Sequence, residues 1–268
     1  MSLFFLQNIS MGKLIFFDID GTLVIDGKIP PSAEKALRLL RENGHITAAA
    51  SGRHLAMMKP VTDRLGIEYA VCDGGNTIVH DGKIIFTEPL STSVTHPLYR
   101  ELLEKKIPFA VMPDTRYNRL TADFRMMRGR RERSFEAIRC RMRIYWDLFH
   151  RDAYKVFMEI HPGEEDRIRT IDLHRITRWA DDSLGYEPDD KYRGIEKLLQ
   201  ITGMEKNDLV FFGDGLNDLT MFEKIPFSVC MGNGVEELKE KAYYVTDRAE
   251  RDGIYKACRH FGWIGEDQ

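Results

Sequence analysis

The sequence predicts an α/β fold, with a Rossmann-like parallel-sheet core assembled from both ends of the chain and an inserted α+β module. Three observations predict it. At both ends, short apolar runs alternate with amphipathic helical stretches at the pace of a βαβ series. Between them that rhythm lapses into a hairpin and half-exposed strands. Two of the apolar runs end in acid-and-glycine clusters, at the strand ends where open parallel sheets bind ligands.

In order along the chain, Lys13 to Asp18 is a continuous apolar run ending in an acid, as suits a central strand buried on both faces. Pro31 to Asn43 has helical apolar spacing, with Pro31 in the first turn and Gly44 at the stop. Ile46 to Ala50 is a strand, His54 to Leu65 a helix ending at Gly66, and Tyr69 to Cys72 a third strand. Thr77 to Val79 and Ile84 to Thr87 form a hairpin around Asp81-Gly82. Pro97 to Lys106 predicts a helix, Phe109 to Met112 and Tyr154 to Ile160 strands, and the arginine-dense stretch between those strands has helical character. Arg178 to Tyr186 fits two short strands around Asp181-Asp182.

From Arg193 the alternation resumes. Helices are expected at Gly194 to Ile201, Leu216 to Lys224, Val235 to Ala242 and Gly253 to His260. Strands are expected at Leu209 to Phe212, Phe227 to Met231 and Tyr243 to Thr246. The expected organisation is a core of residues 11–84 and 188–268 with an inserted module at 85–187. Residues 1–10 precede a second methionine, Met11, and are read as a tag or an upstream start.

Composition narrows the function classes. The 268 residues are 43% hydrophobic and 30% charged, as in an ordinary globular protein, and the net charge of -3 argues against general nucleic-acid binding. No apolar stretch approaches the ~20 residues of a membrane helix. Cys72, Cys140, Cys230 and Cys258 lack a CxxC spacing, and Cys72 and Cys230 sit in strand-like runs. Buried reduced thiols in a cytoplasmic setting are therefore expected. Trp146, Trp179 and Trp263 are expected to pack, and the scattered histidines show no metal-ligand spacing.

The chemistry concentrates at strand ends. In Asp18-Ile19-Asp20-Gly21-Thr22-Leu23, one carboxylate at a strand end can attack phosphorus and a second, two residues on, can protonate the leaving group and then activate water. The plainer alternative is an acidic turn that caps a helix. Gly213-Asp214-Gly215-Leu216-Asn217-Asp218 follows another apolar run, and its two acids, four residues apart among glycines, suit a hard cation such as Mg²⁺. An N-capping Asx loop is the alternative there, less attractive once two acidic strand ends share one sheet. Ser51-Gly52-Arg53 offers a hydroxyl and backbone amides at a helix start, a phosphate cradle or a common Ser-Gly turn. Asp18 and Ser51 lie 33 residues apart, about one βαβ unit, and Lys191 and Asp214 lie 23 apart. Ser51 and Lys191 lie 140 apart, a gap that the inserted module explains.

DIDGTL, SGR, a basic residue before a helix and GDGLND, in that order, resemble the haloacid dehalogenase superfamily. The long insertion between the second and third motifs is similar to that of the Cof-type, subclass IIB hydrolases. The resemblance runs from Met11 to about Gly262. It implies a phosphatase acting on small phosphomonoesters (sugar phosphates or related metabolites), with Asp18 as nucleophile and Asp20 as general acid/base. It implies Mg²⁺ held by the Asp18 carboxylate, the Asp20 backbone carbonyl and Asp214, and a module that caps the site. Ser51, Gly52 and Lys191 would bind the transferring phosphoryl group, with Asn217 and Asp218 orienting the metal's waters and the phosphate site, and Thr22 and Arg53 in support. Many relatives place the third-motif lysine directly before the helix glycine, where this chain has Arg193 before Gly194. Lys191, two residues earlier, is preferred because a compact ammonium suits a point contact. Arg193 is the alternative, and either could be a solvated charge. A phosphomutase would share the aspartyl-phosphate, and a non-catalytic binder of phospho-metabolites or nucleic acid would retain only the scaffold. The full acid set argues against the second.

Between Arg116 and Arg143 stand ten arginines, opposed only by Asp123, Glu132 and Glu136. Arg128, Arg130 and Arg131 are candidates for meeting the distal anionic end of a substrate. A solvated or oligomer-facing surface is the commoner use of such a patch. RNA or membrane contact lacks an aromatic platform or an amphipathic anchor. The small phosphorylated substrate is the one partner that the sequence names.

Overall fold

The computed structural model describes residues 12–116, 118–121, 123, 136–138, 144–171, 176–187 and 190–265. The elements are β1 (Leu14–Phe17), α1 (Pro31–Glu42), β2 (Ile46–Ala50), α2 (Leu55–Leu65), β3 (Tyr69–Cys72), β4 (Thr77–His80) and β5 (Lys83–Thr87). They continue with α3 (Thr92–Glu104), β6 (Phe109–Met112), β7 (Asn118–Thr121), β8 (Glu136–Ile138), α4 (Ile144–His150), β9 (Lys155–Glu159), β10 (Ile176–Ala180) and β11 (Ser183–Tyr186). The chain closes with α5 (Lys191–Thr202), β12 (Leu209–Gly213), α6 (Leu219–Lys224), β13 (Ser228–Cys230), α7 (Glu236–Lys241), β14 (Tyr244–Val245) and α8 (Gly253–His260).

The chain divides into two compact units. One comprises the described residues up to Ala49, Leu65–Glu68 and those from Leu199 onward; the other comprises Ala50–Arg64 and Tyr69–Leu198. In the first, the strands run in the order β14-β13-β12-β1-β2, every pair parallel. β1 and β12 are apolar on both faces, and Ile15 to Phe17 and Val210 to Phe212 are fully buried, as in a parallel sheet buried on both sides. Each buried Phe contributes about 2–3 kcal/mol of transfer free energy. The register pairs Phe17 with Phe212, whose rings stack at 4.8 Å. It therefore sets Asp18 beside the end of β12, and the Asp18 amide donates to the Phe212 carbonyl at 2.8 Å.

The second unit holds a six-stranded sheet in the order β10-β11-β9-β6-β7-β8 and the antiparallel strands β3, β4 and β5. Asp81 (φ 47°) and Gly82 (φ 73°) supply the two positive-φ residues that the tight β4–β5 turn needs. Leu98, Tyr99 and Leu102 of α3 join Phe109, Val111, Val156, Met158 and Leu184 in the core of the six-stranded sheet.

Three expectations are corrected. Helix α3 begins at Thr92 rather than Pro97, because the Ser91 hydroxyl accepts the Ser93 amide and caps the first turn. Pro97 sits inside the helix, where burial of Thr95, Leu98 and Tyr99 holds it. The start of the arginine-dense stretch is strand rather than helix: β7 pairs antiparallel with β6 and buries Leu120 and Thr121. Trp146 is 60% exposed and stacks on His150, whereas Trp263 packs as expected. Cys72, Cys230 and Cys258 are free and buried, and Cys140 lies outside the described residues. Among the described residues, no helix is long and apolar enough to cross a membrane.

Candidate active site

The first unit brings three acids together. Oxygens of Asp18, Asp214 and Asp218 all lie within 4.8 Å of one another, although 196 residues separate the first two in sequence. Asp18 is 4% exposed and Asp218 fully buried. The Thr22 hydroxyl, itself buried, donates to Asp214 Oδ1 at 2.8 Å. Asp218 Oδ2 accepts the Asp214 and Gly215 amides at 3.1 and 3.3 Å, which fixes the loop after β12 around its own carboxylate. Gly21 adopts φ 86°, and a Cβ there would lie 2.0 Å from Asp214 Oδ2, so only glycine lets the first loop approach the second so closely.

Asp20 is exposed and its carboxylate stands outside the trio, whereas Asp218, expected in a supporting role, is a full member. Asn217 is exposed in the 3₁₀ turn between β12 and α6. The chemistry of this donor set fits a hard divalent cation, since three closely spaced carboxylates repel one another until a positive charge offsets them.

The second unit holds the other predicted residues. Ser51 is 4% exposed, and its amide donates to Val71 at 2.9 Å. Its hydroxyl accepts the Arg53 amide at 3.2 Å. The turn Asp73-Gly74-Gly75 links this loop to α5: the Gly74 amide donates to the Ser51 carbonyl at 3.2 Å, and the Asp190 amide donates to the Gly74 carbonyl at 3.0 Å. All three turn residues have positive φ, and a Cβ on Gly75 would meet the Asp190 carbonyl at 2.2 Å. Lys191, in the first turn of α5, is 1% exposed. Arg193 is half-exposed, with an ion pair to Glu88 at 3.1 Å and a hydrogen bond to the Asn76 side chain.

Sequence reasoning missed the buried charges around the Ser51 loop. Lys155 of β9 is 3% exposed, pairs with the buried Glu187 and donates to the Gly52 carbonyl at 3.3 Å. Thr115 Oγ1 accepts the Leu55 amide at 2.8 Å. His54 is pushed down to about 3 by burial, with Arg119, Lys155 and Arg53 adding to the effect. Burial lowers Arg119 to about 10 and raises Asp73. The only sequence signal for these residues is a lysine or arginine in an otherwise apolar strand. Arg128, Arg130 and Arg131 lie outside the described residues.

The sequence model of the family described as haloacid dehalogenase-like hydrolase matches residues 15–258. The Bacillus subtilis protein named "Putative phosphatase YkrA" is 32% identical over 258 residues, covering 94% of this chain and 98% of that one. The crystal structure of a hypothetical protein from Geobacillus kaustophilus HTA426 matches with a TM-score of 0.80 at 28% identity, covering 94% of this chain and all of that one. The fold is also that of the haloacid dehalogenase subclass IIB sugar phosphatase BT4131, with a TM-score of 0.74 at 23% identity over 94% of this chain and 100% of that one. With both acidic loops inside the matched region, the chain belongs to the haloacid dehalogenase-like hydrolases.

Proposed function

We propose that this haloacid dehalogenase-family phosphatase hydrolyses small phosphomonoesters, sugar phosphates or related metabolites, through an aspartyl-phosphate on Asp18 and depends on Mg²⁺. The carrying observation is the meeting of the Asp18, Asp214 and Asp218 oxygens within 4.8 Å at two neighbouring strand ends. These carboxylates, with the Asp20 backbone carbonyl, are the residues that would hold the cation. Bound there, it would offset the repulsion between an anionic nucleophile and an anionic substrate.

Asp18 attacks phosphorus while the ester oxygen departs with a proton from Asp20. Asp20 then takes a proton from the water that attacks the acyl phosphate, releasing phosphate and restoring Asp18. The exposure of Asp20 suits a group that must exchange protons with solvent. Ser51, Gly52 and Lys191 hold the phosphoryl oxygens, and the commitment of Arg193 to Glu88 and Asn76 supports Lys191 in that role. Asn217 and Arg53 support the phosphate site, and Thr22 and Asp218 hold the loop around Asp214. Residues 85–187 act as a cap on the core of 11–84 and 188–268, excluding water during attack. The three buried free thiols suit a reducing, cytoplasmic setting.

Phosphate release tests this across a panel of sugar phosphates, nucleotides and an aryl phosphate, with Mg²⁺ and with excess chelator. Metal-dependent release that falls at least ~10³-fold in Asp18→Asn is expected. Release that survives in Asp18→Asn, or no release by the native protein on any ester, overturns the proposal.

A further inference from the structure

The turn after β13, Met231-Gly232-Asn233-Gly234, is a third strand-end loop of the first unit. It is built tightly. The Gly232 amide donates to Asp247 at 3.0 Å, the Gly234 amide to Met231 at 2.7 Å and the Val235 amide to Asp214 at 3.0 Å. A Cβ on Gly234 would stand 3.2 Å from the Asp214 Cα and 2.7 Å from Cys230 Sγ. The turn thus presses on the backbone that carries Asp214.

The Asn233 side chain reaches out of this turn in two directions. Its Nδ2 donates to the Gly21 carbonyl at 2.8 Å, 212 residues away in sequence, and its Oδ1 accepts the Ala249 amide at 3.0 Å. An asparagine that merely stabilises its own turn bonds to backbone two or three residues away. Here both bonds leave the turn, and the donor lands on the loop that carries Asp18 and Asp20. Gly21 is the most conformationally free residue of that loop. Its position controls Thr22, whose hydroxyl holds Asp214, and its missing Cβ is what admits the Asp214 carboxylate.

We propose that Asn233 is a positioning residue for the acidic trio: its amide pins the Gly21 peptide at the separation from Asp214 that lets Asp18, Asp214 and Asp218 hold one cation. The inference rests on the metal reading above. A shorter side chain cannot span both the Gly21 carbonyl and the Ala249 amide, so the effect follows from removing the bridge and not from a change of charge.

The test is a Mn²⁺ titration of the native protein, Asn233→Ala and Asn233→Ser, read as free Mn²⁺ by electron paramagnetic resonance. It is paired with urea denaturation without metal and with KM at saturating Mg²⁺. Loss of a group that orients metal ligands weakens metal binding about 10- to 100-fold. That loss is expected in both variants, with KM within about twofold of native once metal is saturating. Native-like Mn²⁺ affinity in either folded variant overturns the inference alone. Failure of the native protein to bind Mn²⁺ overturns the metal reading and the inference with it.

Discussion

Replacing Gly21 with alanine tests how closely the two acidic loops must approach. The added Cβ would lie 2.0 Å from Asp214 Oδ2 and 2.6 Å from its Cγ, well inside the 3.0 Å that real Cβ contacts respect. Asp214 must therefore retreat by about 1 Å, several times the ~0.2 Å tolerance of a metal-ligand distance. Retreat also strains the 2.8 Å bond from Thr22 to Asp214. Holding alanine at φ 86° adds about 1–2 kcal/mol of backbone cost. Together these predict a rise of about 100-fold in the Mg²⁺ concentration for half-maximal turnover. Gly27 provides the internal control: its φ is 73°, but a Cβ there meets nothing within 4 Å. Gly27→Ala should lose about 1 kcal/mol of stability and keep native turnover. Phosphate release as a function of Mg²⁺, with urea denaturation of each variant, reads both quantities. A Gly21→Ala protein with the native Mg²⁺ dependence would refute the argument from close approach.

Two further outcomes concern the second unit. Lys155→Met leaves Glu187 buried without its ammonium and should cost about 3–5 kcal/mol in urea denaturation, most of it recovered in the Lys155→Met, Glu187→Leu double variant. A single variant within about 1 kcal/mol of native, the worth of a surface pair, would show that this ion pair is not desolvated. His54 titrates near 6.5 when unfolded and is held down to about 3 when folded. Above that window both states are neutral. As pH falls through it, the unfolded chain takes up a proton that the folded one refuses. Stability should therefore decline from about pH 6.5 toward 3, by up to about 1.4 kcal/mol per pH unit from this residue. Urea midpoints at pH 7.5 and 5 for native and His54→Gln measure it, and an equal decline in the two proteins would contradict the assignment.

Much of the fold was legible because its signals are local. Short apolar runs ending in aspartate, serine or glycine located β1, β2, β3 and β12 to within a residue or so, and Asp81-Gly82 announced its hairpin. The start of α3 was not legible, because a proline at position 97 reads as a first turn until the Ser91 cap and the buried face upstream are seen together. Strand β7 was hidden by its charge: Arg119 looks like a solvated residue, yet it is 2% exposed, its guanidinium donating to the Arg116 and Asn118 carbonyls and lying over the Phe157 ring.

The candidate site divides in the same way. Residue types and spacing alone identified Asp18, Asp20, Asp214 and Ser51 as chemical groups at strand ends, since strand-end position is a property of the local pattern. That Asp18, Asp214 and Asp218 share one small volume while the Asp20 carboxylate stays in solvent was decided by the parallel register of β1 on β12 and by the absent Cβ of Gly21. The places of Lys155, Glu187 and Asn233 depended on the tertiary structure altogether. Their partners lie 103, 32 and 212 positions away, and hydrogen bonds across such separations leave no periodicity for a sequence to display.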